Sequence, residues 1–126
     1  MIPLDKKPRL LIVDDEVEYC SLLREYFSEN YDVIVAYDGE DGLAAVAEFH
    51  PDCVLMDVKM PKMDGITALG AIKSSHQGIP VIMVSASGSM RAAEESIKRG
   101  AFDYILKPID LKELEDKIES ALRKPE

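Results

Sequence analysis

Pro51-Asp52-Cys53-Val54-Leu55-Met56-Asp57-Val58-Lys59-Met60-Pro61-Lys62-Met63-Asp64-Gly65 is the stretch whose reading decides the fold. The apolar run Cys53-Val54-Leu55-Met56 ends abruptly on Asp57. A short run with no polar alternation predicts a strand covered on both faces, as in a parallel sheet. A carboxylate at the end of such a strand loses hydration and needs a cation, a donor or a metal. In open parallel sheets, ligands bind in the crevice at the carboxyl ends of the strands. Asp57 is therefore the first candidate for chemistry. A helix cap is the bland alternative, and it is weak here because Pro61 disfavours helical geometry at Met60.

Upstream, Arg9-Leu10-Leu11-Ile12-Val13 is a second buried-strand run, ending on Asp14-Asp15-Glu16. Val17, Cys20, Leu23 and Phe27 follow at spacings of three and four, which predicts an amphipathic helix. Asp15 with Glu18 fits a capping box for it. Val33-Ile34-Val35 marks the next strand, and Asp38 caps a helix through Leu43, Val46 and Phe49 that Pro51 stops.

Downstream, Asp64-Gly65 is a turn opening a shorter helix with Ile66 and Leu69 inward, and Ser74 to Gly78 reads as loop. Pro80 to Val84 is the fourth strand and ends on Ser85. A helix with Met90, Ala93 and Ile97 on one face closes on Lys98-Arg99-Gly100. Phe102 to Leu106 is a more polar fifth strand, followed by Lys107-Pro108. Asp110 with Glu113 then caps a last helix that buries Leu111, Leu114, Ile118 and Leu122.

Strands alternating with helices predict an α/β class with a parallel sheet. The most apolar strands, the first, third and fourth, belong at the centre; the second and fifth belong at the edges. That is the doubly wound, flavodoxin-like order 2-1-3-4-5.

The chain of 126 residues is read as one domain over 1–126, with an ordered core over about 8–123. A formal net charge of -9 disfavours direct contact with nucleic acid or an anionic membrane. It suits a site for a divalent cation, or a partner with a basic patch. Cys20 and Cys53 have no metal-ligand spacing and read as buried free thiols in a reducing cytoplasm. The sequence contains no apolar run of membrane-spanning length and no signal peptide at its start, so a cytoplasmic location is expected. His50 and His76 read as surface or loop residues.

The strand ends carry Asp14 and Asp15, then Asp57, Ser85 and Lys107. In a parallel sheet these ends point the same way, so three carboxylates converge on a small volume. Like charges that close repel and raise each other's pKa. A hard divalent cation with oxygen ligands relieves this, and Mg2+ fits. Such a cation neutralises charge on transferring phosphoryl oxygens, and a carboxylate serves as the nucleophile. A Lys and a hydroxyl on the far side would hold the other oxygens. Taken singly, Asp15 is a helix cap, Ser85 a turn hydroxyl, Lys107 a solvated cation and Tyr104 an edge-strand aromatic. Their joint order at successive strand ends is harder to dismiss.

At this point the chain resembles the receiver domain of two-component response regulators over nearly its full length. The resemblance rests on Ile12 to Glu16, Leu55 to Pro61 with Asp64-Gly65, Val84-Ser85-Ala86, and Ala101 to Tyr104 leading to Leu106-Lys107-Pro108. It implies that Asp57 is the phosphoacceptor and that Asp14 and Asp15 hold Mg2+, Asp15 directly and Asp14 through water. It further implies the Lys59 backbone carbonyl as a metal ligand. Ser85 would be the hydroxyl that moves toward the phosphoryl group, Lys107 its basic partner before a cis Pro108, and Tyr104 the aromatic switch. Lys59 and Ser87 occupy positions associated with the lifetime of the phosphoryl group.

The partners implied are a histidine kinase or phosphotransfer protein as donor, and a downstream protein or output domain. The responding face is the fourth helix, fifth strand and fifth helix, which also suits a homodimer. Met1 fits a native start, and an output domain beyond 126 fits the same resemblance. Such a domain is a switch with self-catalysed phosphoryl transfer and hydrolysis, not an enzyme in the ordinary sense.

Three other readings compete. A haloacid-dehalogenase-like phosphatase wants a second Asp two residues after the nucleophile, where this chain has Lys59. A flavin-binding electron carrier wants a hydroxyl- and Gly-rich loop where this chain has Asp14-Asp15-Glu16. A degenerate receiver, acting only as a binding module, would not need the intact constellation.

Overall fold

The computed structural model describes residues 6–123. The elements alternate throughout: β1 (Arg9–Val13), α1 (Val17–Phe27), β2 (Asp32–Ala36), α2 (Gly39–Phe49), β3 (Cys53–Asp57), α3 (Gly65–Ser75), β4 (Val81–Ser85), α4 (Met90–Lys98), β5 (Asp103–Leu106) and α5 (Leu111–Arg123). The strands form one parallel sheet in the order β2-β1-β3-β4-β5. That is the expected order, with the most apolar strands inside. β3 and β4 are buried at every position, whereas β2 and β5 are partly open edges.

Alternation along each strand divides the core in two. Leu10, Ile12, Cys53, Leu55, Ile82, Val84 and Ile105 face α1 and α5 and pack on Cys20, Leu23, Phe27, Leu114 and Ile118. Leu11, Val13, Val54, Met56, Val81 and Met83 face the other way, onto Val46 of α2 and Ala68, Leu69 and Ile72 of α3. This period of two follows from strand geometry. It fixes which side of the sheet each strand-end side chain continues.

The helix ends follow local chemistry. Asp38 and Asp64 cap α2 and α3 by accepting the N–H groups of Asp41 and Thr67, each at 2.8 Å. α2 ends at His50, which takes a left-handed conformation with φ 53° before Pro51. Asp110 Oδ1 accepts from the N–H groups of Lys112 and Glu113 at the start of α5. The Lys107–Pro108 bond is cis, as the resemblance implies. Cys20 and Cys53 are both free and buried.

Three local expectations need correcting, and the direction of the α4 stripe, which spacing leaves open, is settled. α3 runs through Ser75, so Ser74 and Ser75 are helical, and α3 is as long as α1 and α2. The Asp15–Glu18 capping box does not form: the N-cap of α1 is Glu16, without a side-chain cap, and Asp14 Oδ1 accepts the Glu16 N–H instead. Val17 is exposed, because the inward stripe of α1 starts at Cys20. On α4, Met90 and Ile97 point outward at 76% and 52% exposure, and the buried residue is Ser96. The Ser96 hydroxyl satisfies itself on the Ala92 carbonyl at 2.8 Å, which lets a small polar residue take the inward position.

Candidate functional site

Extending the strand alternation past the core assigns the site residues to sides. Asp14, Asp57 and Lys107 come two residues after Ile12, Leu55 and Ile105, so they continue the α1/α5 face. Ser85 and Tyr104 continue the opposite face, after Met83 and beside the half-buried aromatic edge of the second core. The carboxylates and the lysine thus rise on one side of the sheet, and the hydroxyl and the aromatic on the other.

Asp14 and Asp57 are 2% and 7% exposed, which is exceptional for carboxylates. Asp15 is exposed beside them. One oxygen from each of Asp14, Asp15 and Asp57 lies within 4.8 Å of the others. Burial, and after it the charge of Asp14, push the Asp57 carboxyl up to about 6; Lys107 opposes the shift and Asp15 adds to it. A crowded set of oxygens that disfavours its own ionisation is a donor set suited to a hard cation such as Mg2+.

Lys107 closes the site from β5. Its Nζ donates to Asp14 Oδ2 at 2.9 Å and to Glu16 Oε1 at 3.0 Å, and lies 3.9 Å from Asp57 Oδ1. Burial pulls the ammonium pKa down, but the hydrogen bonds and charges of these acids outweigh it, and the net shift is upward. Lys107 is therefore a firmly charged cation. Its Nζ also sits 4.6 Å from the centroid of the Tyr19 ring.

The floor is set by close backbone packing. Gly65 N–H donates to the Val58 carbonyl at 2.7 Å. A Cβ at Gly65 would run into the Asp57 carbonyl, so only glycine fits where α3 begins behind the carboxylate. Lys59 is exposed just beyond, lining an open groove with Arg91, Glu95 and Arg99.

On the other side of the sheet, Ser85 is 2% exposed and its Oγ accepts the Ser87 N–H at 3.0 Å. The half-buried Tyr104 donates its hydroxyl to the Ser87 carbonyl at 3.2 Å. Ser87 Oγ accepts from Ser89 N–H, and Ser89 Oγ accepts from Ala92 N–H as the cap of α4, both at 3.2 Å. Ser85 is thus linked, one hydrogen bond at a time, to Tyr104 and to the start of α4.

All the residues singled out from the sequence meet at this end of the sheet. Glu16, Tyr19, Ser89 and the hydrogen-bond ladder from Ser87 to Ser89 were not singled out as its members. A signal existed for Tyr19: it lies one helical turn after Asp15 and one before Leu23, on the inward side of α1. The ladder has a weaker signal, the alternating serines of Ser85-Ala86-Ser87-Gly88-Ser89. Among the described residues no helix is long and apolar enough to cross a membrane.

Comparison with known proteins is consistent with this geometry. A sequence model of the response regulator receiver domain matches residues 10–119. The transcriptional regulatory protein ZraR of Salmonella typhimurium is 42% identical over 114 residues, which are 90% of this chain and 26% of that protein. The chain therefore spans about a quarter of that curated relative. Among solved structures, the receiver domain of NtrX from Brucella abortus superposes with a TM-score of 0.86 at 34% identity, over 92% of this chain and 99% of that one. The CheX-CheY-BeF3-Mg2+ complex from Borrelia burgdorferi matches with a TM-score of 0.86 at 33% identity, over 94% of this chain and 92% of that one.

Proposed function

The chain belongs to the response regulator receiver domain family, and from that premise we propose that Asp57 accepts a phosphoryl group from a histidine kinase or phosphotransfer protein. The observation that carries this reading is the convergence of Asp14, Asp15 and Asp57 oxygens within 4.8 Å, with the Lys107 ammonium 3.9 Å from Asp57. Asp14, Asp15, Asp57 and the Lys59 carbonyl would hold Mg2+. When bound, the ion supplies charge neutralisation for the transferring oxygens. That a similar CheY forms a complex with BeF3 and Mg2+ supports Mg2+ as the ion here.

The chain's own groups do the rest. An Asp57 oxygen attacks the phosphorus of the donor phosphohistidine; the O–P bond forms as the N–P bond breaks, and the imidazole keeps the electron pair. Lys107 turns its donors from Asp14 and Glu16 to a phosphoryl oxygen. Ser85 leaves the Ser87 N–H to donate its hydroxyl to another oxygen. Ser87 is then released from one partner, and with it Tyr104 and the cap of α4. The phosphoryl group adds about -1.5 to -2 charge and fresh acceptors, and a few kcal/mol of differential contact moves a two-state equilibrium.

The output passes through the face formed by α4, β5 and α5, to a partner, a second copy of the chain or an output domain. ZraR is named a transcriptional regulator and is much longer than this chain, so an output domain that binds DNA fits a longer protein of this kind. The net charge of -9 argues that the receiver itself does not touch nucleic acid. A cytoplasmic location goes with this role.

Incubation with a small acyl phosphate and Mg2+ tests the reading. A mass gain of one phosphoryl group is expected, absent in Asp57→Ala; a mass gain retained by that variant, or none in the parent, overturns it. Ser85→Ala and Lys107→Ala are expected to leave phosphorylation measurable while shrinking the chemical-shift response of α4 and Tyr104. An undiminished response in both would contradict the proposed roles.

A further inference from the structure

We propose that Tyr19 is a positioning residue for Lys107: the face of its ring seats the ammonium that pairs with the phosphoryl group. The inference rests on the reading of Asp57 and Lys107 above and deepens it. The Lys107 Nζ stands 4.6 Å from the ring centroid, inside the range of a cation–π contact.

The ring has a property that the carboxylates around Lys107 lack. Asp14 and Glu16 hold the ammonium at 2.9 and 3.0 Å. Asp14 is also one of the three acids whose oxygens converge as a cation site. A cation there competes with the lysine for the oxygens of Asp14. A ring face is neutral, does not take up the cation, and leaves N–H donors of the ammonium available to a phosphoryl oxygen. It therefore helps keep Lys107 beside Asp57 when the ammonium turns from these acids to the phosphoryl group.

Tyr19 could be read as ordinary packing, since it touches Leu23 and the first core. The place of the ring argues for more, since its face meets the ammonium and it lines one cavity with Asp14 and Asp57. The Tyr19 hydroxyl is buried and has no hydrogen-bond partner among the described residues. The ring reaches a cavity of about 10 Å³, floored by Ile12, Leu55 and Val84 and walled by Asp14 and Asp57. Burying an unpartnered hydroxyl costs stability that a leucine there would not lose. The seat is a property of the ring, so a phenylalanine would keep it without that cost.

A double-mutant cycle tests the seat. Tyr19→Phe and Tyr19→Leu are each made alone and with Lys107→Met. Phosphorylation of Asp57 by a small acyl phosphate with Mg2+ is timed, and the urea midpoint of the metal-free protein is measured. Tyr19→Phe, which keeps the ring, is expected within about twofold of the parent rate. Tyr19→Leu is expected to slow the reaction by about threefold to tenfold, and to have no further effect once Lys107 is Met. Equal slowing in both backgrounds, no slowing from Tyr19→Leu, or a Phe variant as slow as the Leu variant overturns the seat. A parent that takes up no phosphoryl group refutes the proposed function instead. The urea midpoints then decide the seat: a non-additive loss for Tyr19→Leu with Lys107→Met supports it, and an additive loss overturns it.

Discussion

Asp57 is the residue where burial and chemistry conflict most. Its carboxyl is held near 6 rather than its ordinary 3.8, by burial first and by Asp14 next. The folded state therefore binds the proton more tightly than the unfolded chain does. The protonated form is fully present below about pH 3.8, and its contribution is lost as pH rises through about 6. At neutral pH the ionised carboxylate weakens the fold, with Asp14 and Asp15 repelling it and Lys107 only partly compensating. Asp57→Asn is thus expected to stabilise the metal-free protein by about 1–3 kcal/mol at pH 7, and by progressively less between pH 6 and 4. Urea titrations across that range check it. Mg2+ at about ten times its Kd should add about 1.4 kcal/mol to the parent, and markedly less to Asp57→Asn, which gives up one of the acids.

At the scale of elements, the strands were legible because a parallel sheet demands apolar runs without polar interruption. The acids and Lys107 were legible for the same reason: each stands out as a charge directly after such a run. The helices were less so. The spacing of Met90, Ala93 and Ile97 reveals a stripe but not which way it faces. α4 rests its small side on α3 and β5, and leaves its large apolar side chains outside. The capping box on α1 is missing because the helix begins one residue later than the box requires: its N-cap is Glu16, whose N–H is taken by Asp14. The contacts of Glu16 and Tyr19 were hidden because their partner Lys107 lies far off in sequence; spacing places Tyr19 on the inward side of α1 but does not name the lysine.

Two predictions belong to this scale. Ser89→Ala removes the cap of α4 and the end of the serine ladder. It should cost about 0.5–2 kcal/mol and uncouple α4 from phosphorylation, read as chemical-shift changes that stop at Ser87. Gly65→Ala forces a methyl group into the Asp57 carbonyl at the head of α3. A loss of about 2–4 kcal/mol is expected, with slower phosphorylation because the carboxylate is displaced; thermal unfolding and the mass assay report the two effects.

Across the whole molecule, the sheet keeps two packed layers apart and leaves a third surface unfinished. Met90, Ile97 and Leu106 are 76%, 52% and 50% exposed on the neighbouring elements α4 and β5. This is the face assigned above to output and to a homodimer. Ile97→Asp is expected to abolish any phosphorylation-dependent dimer in sedimentation while leaving uptake of the phosphoryl group intact. A dimer that persists would move the interface elsewhere.

The strand order has a further consequence for a chain leaving the ribosome. β1 and β3 are neighbours in the sheet, and Lys107 follows β5, the last strand. No fragment ending before residue 107 holds all the groups that surround Asp57. A half-synthesised or clipped chain would be deaf to its donor, so signalling competence arrives with, and testifies to, the finished sheet.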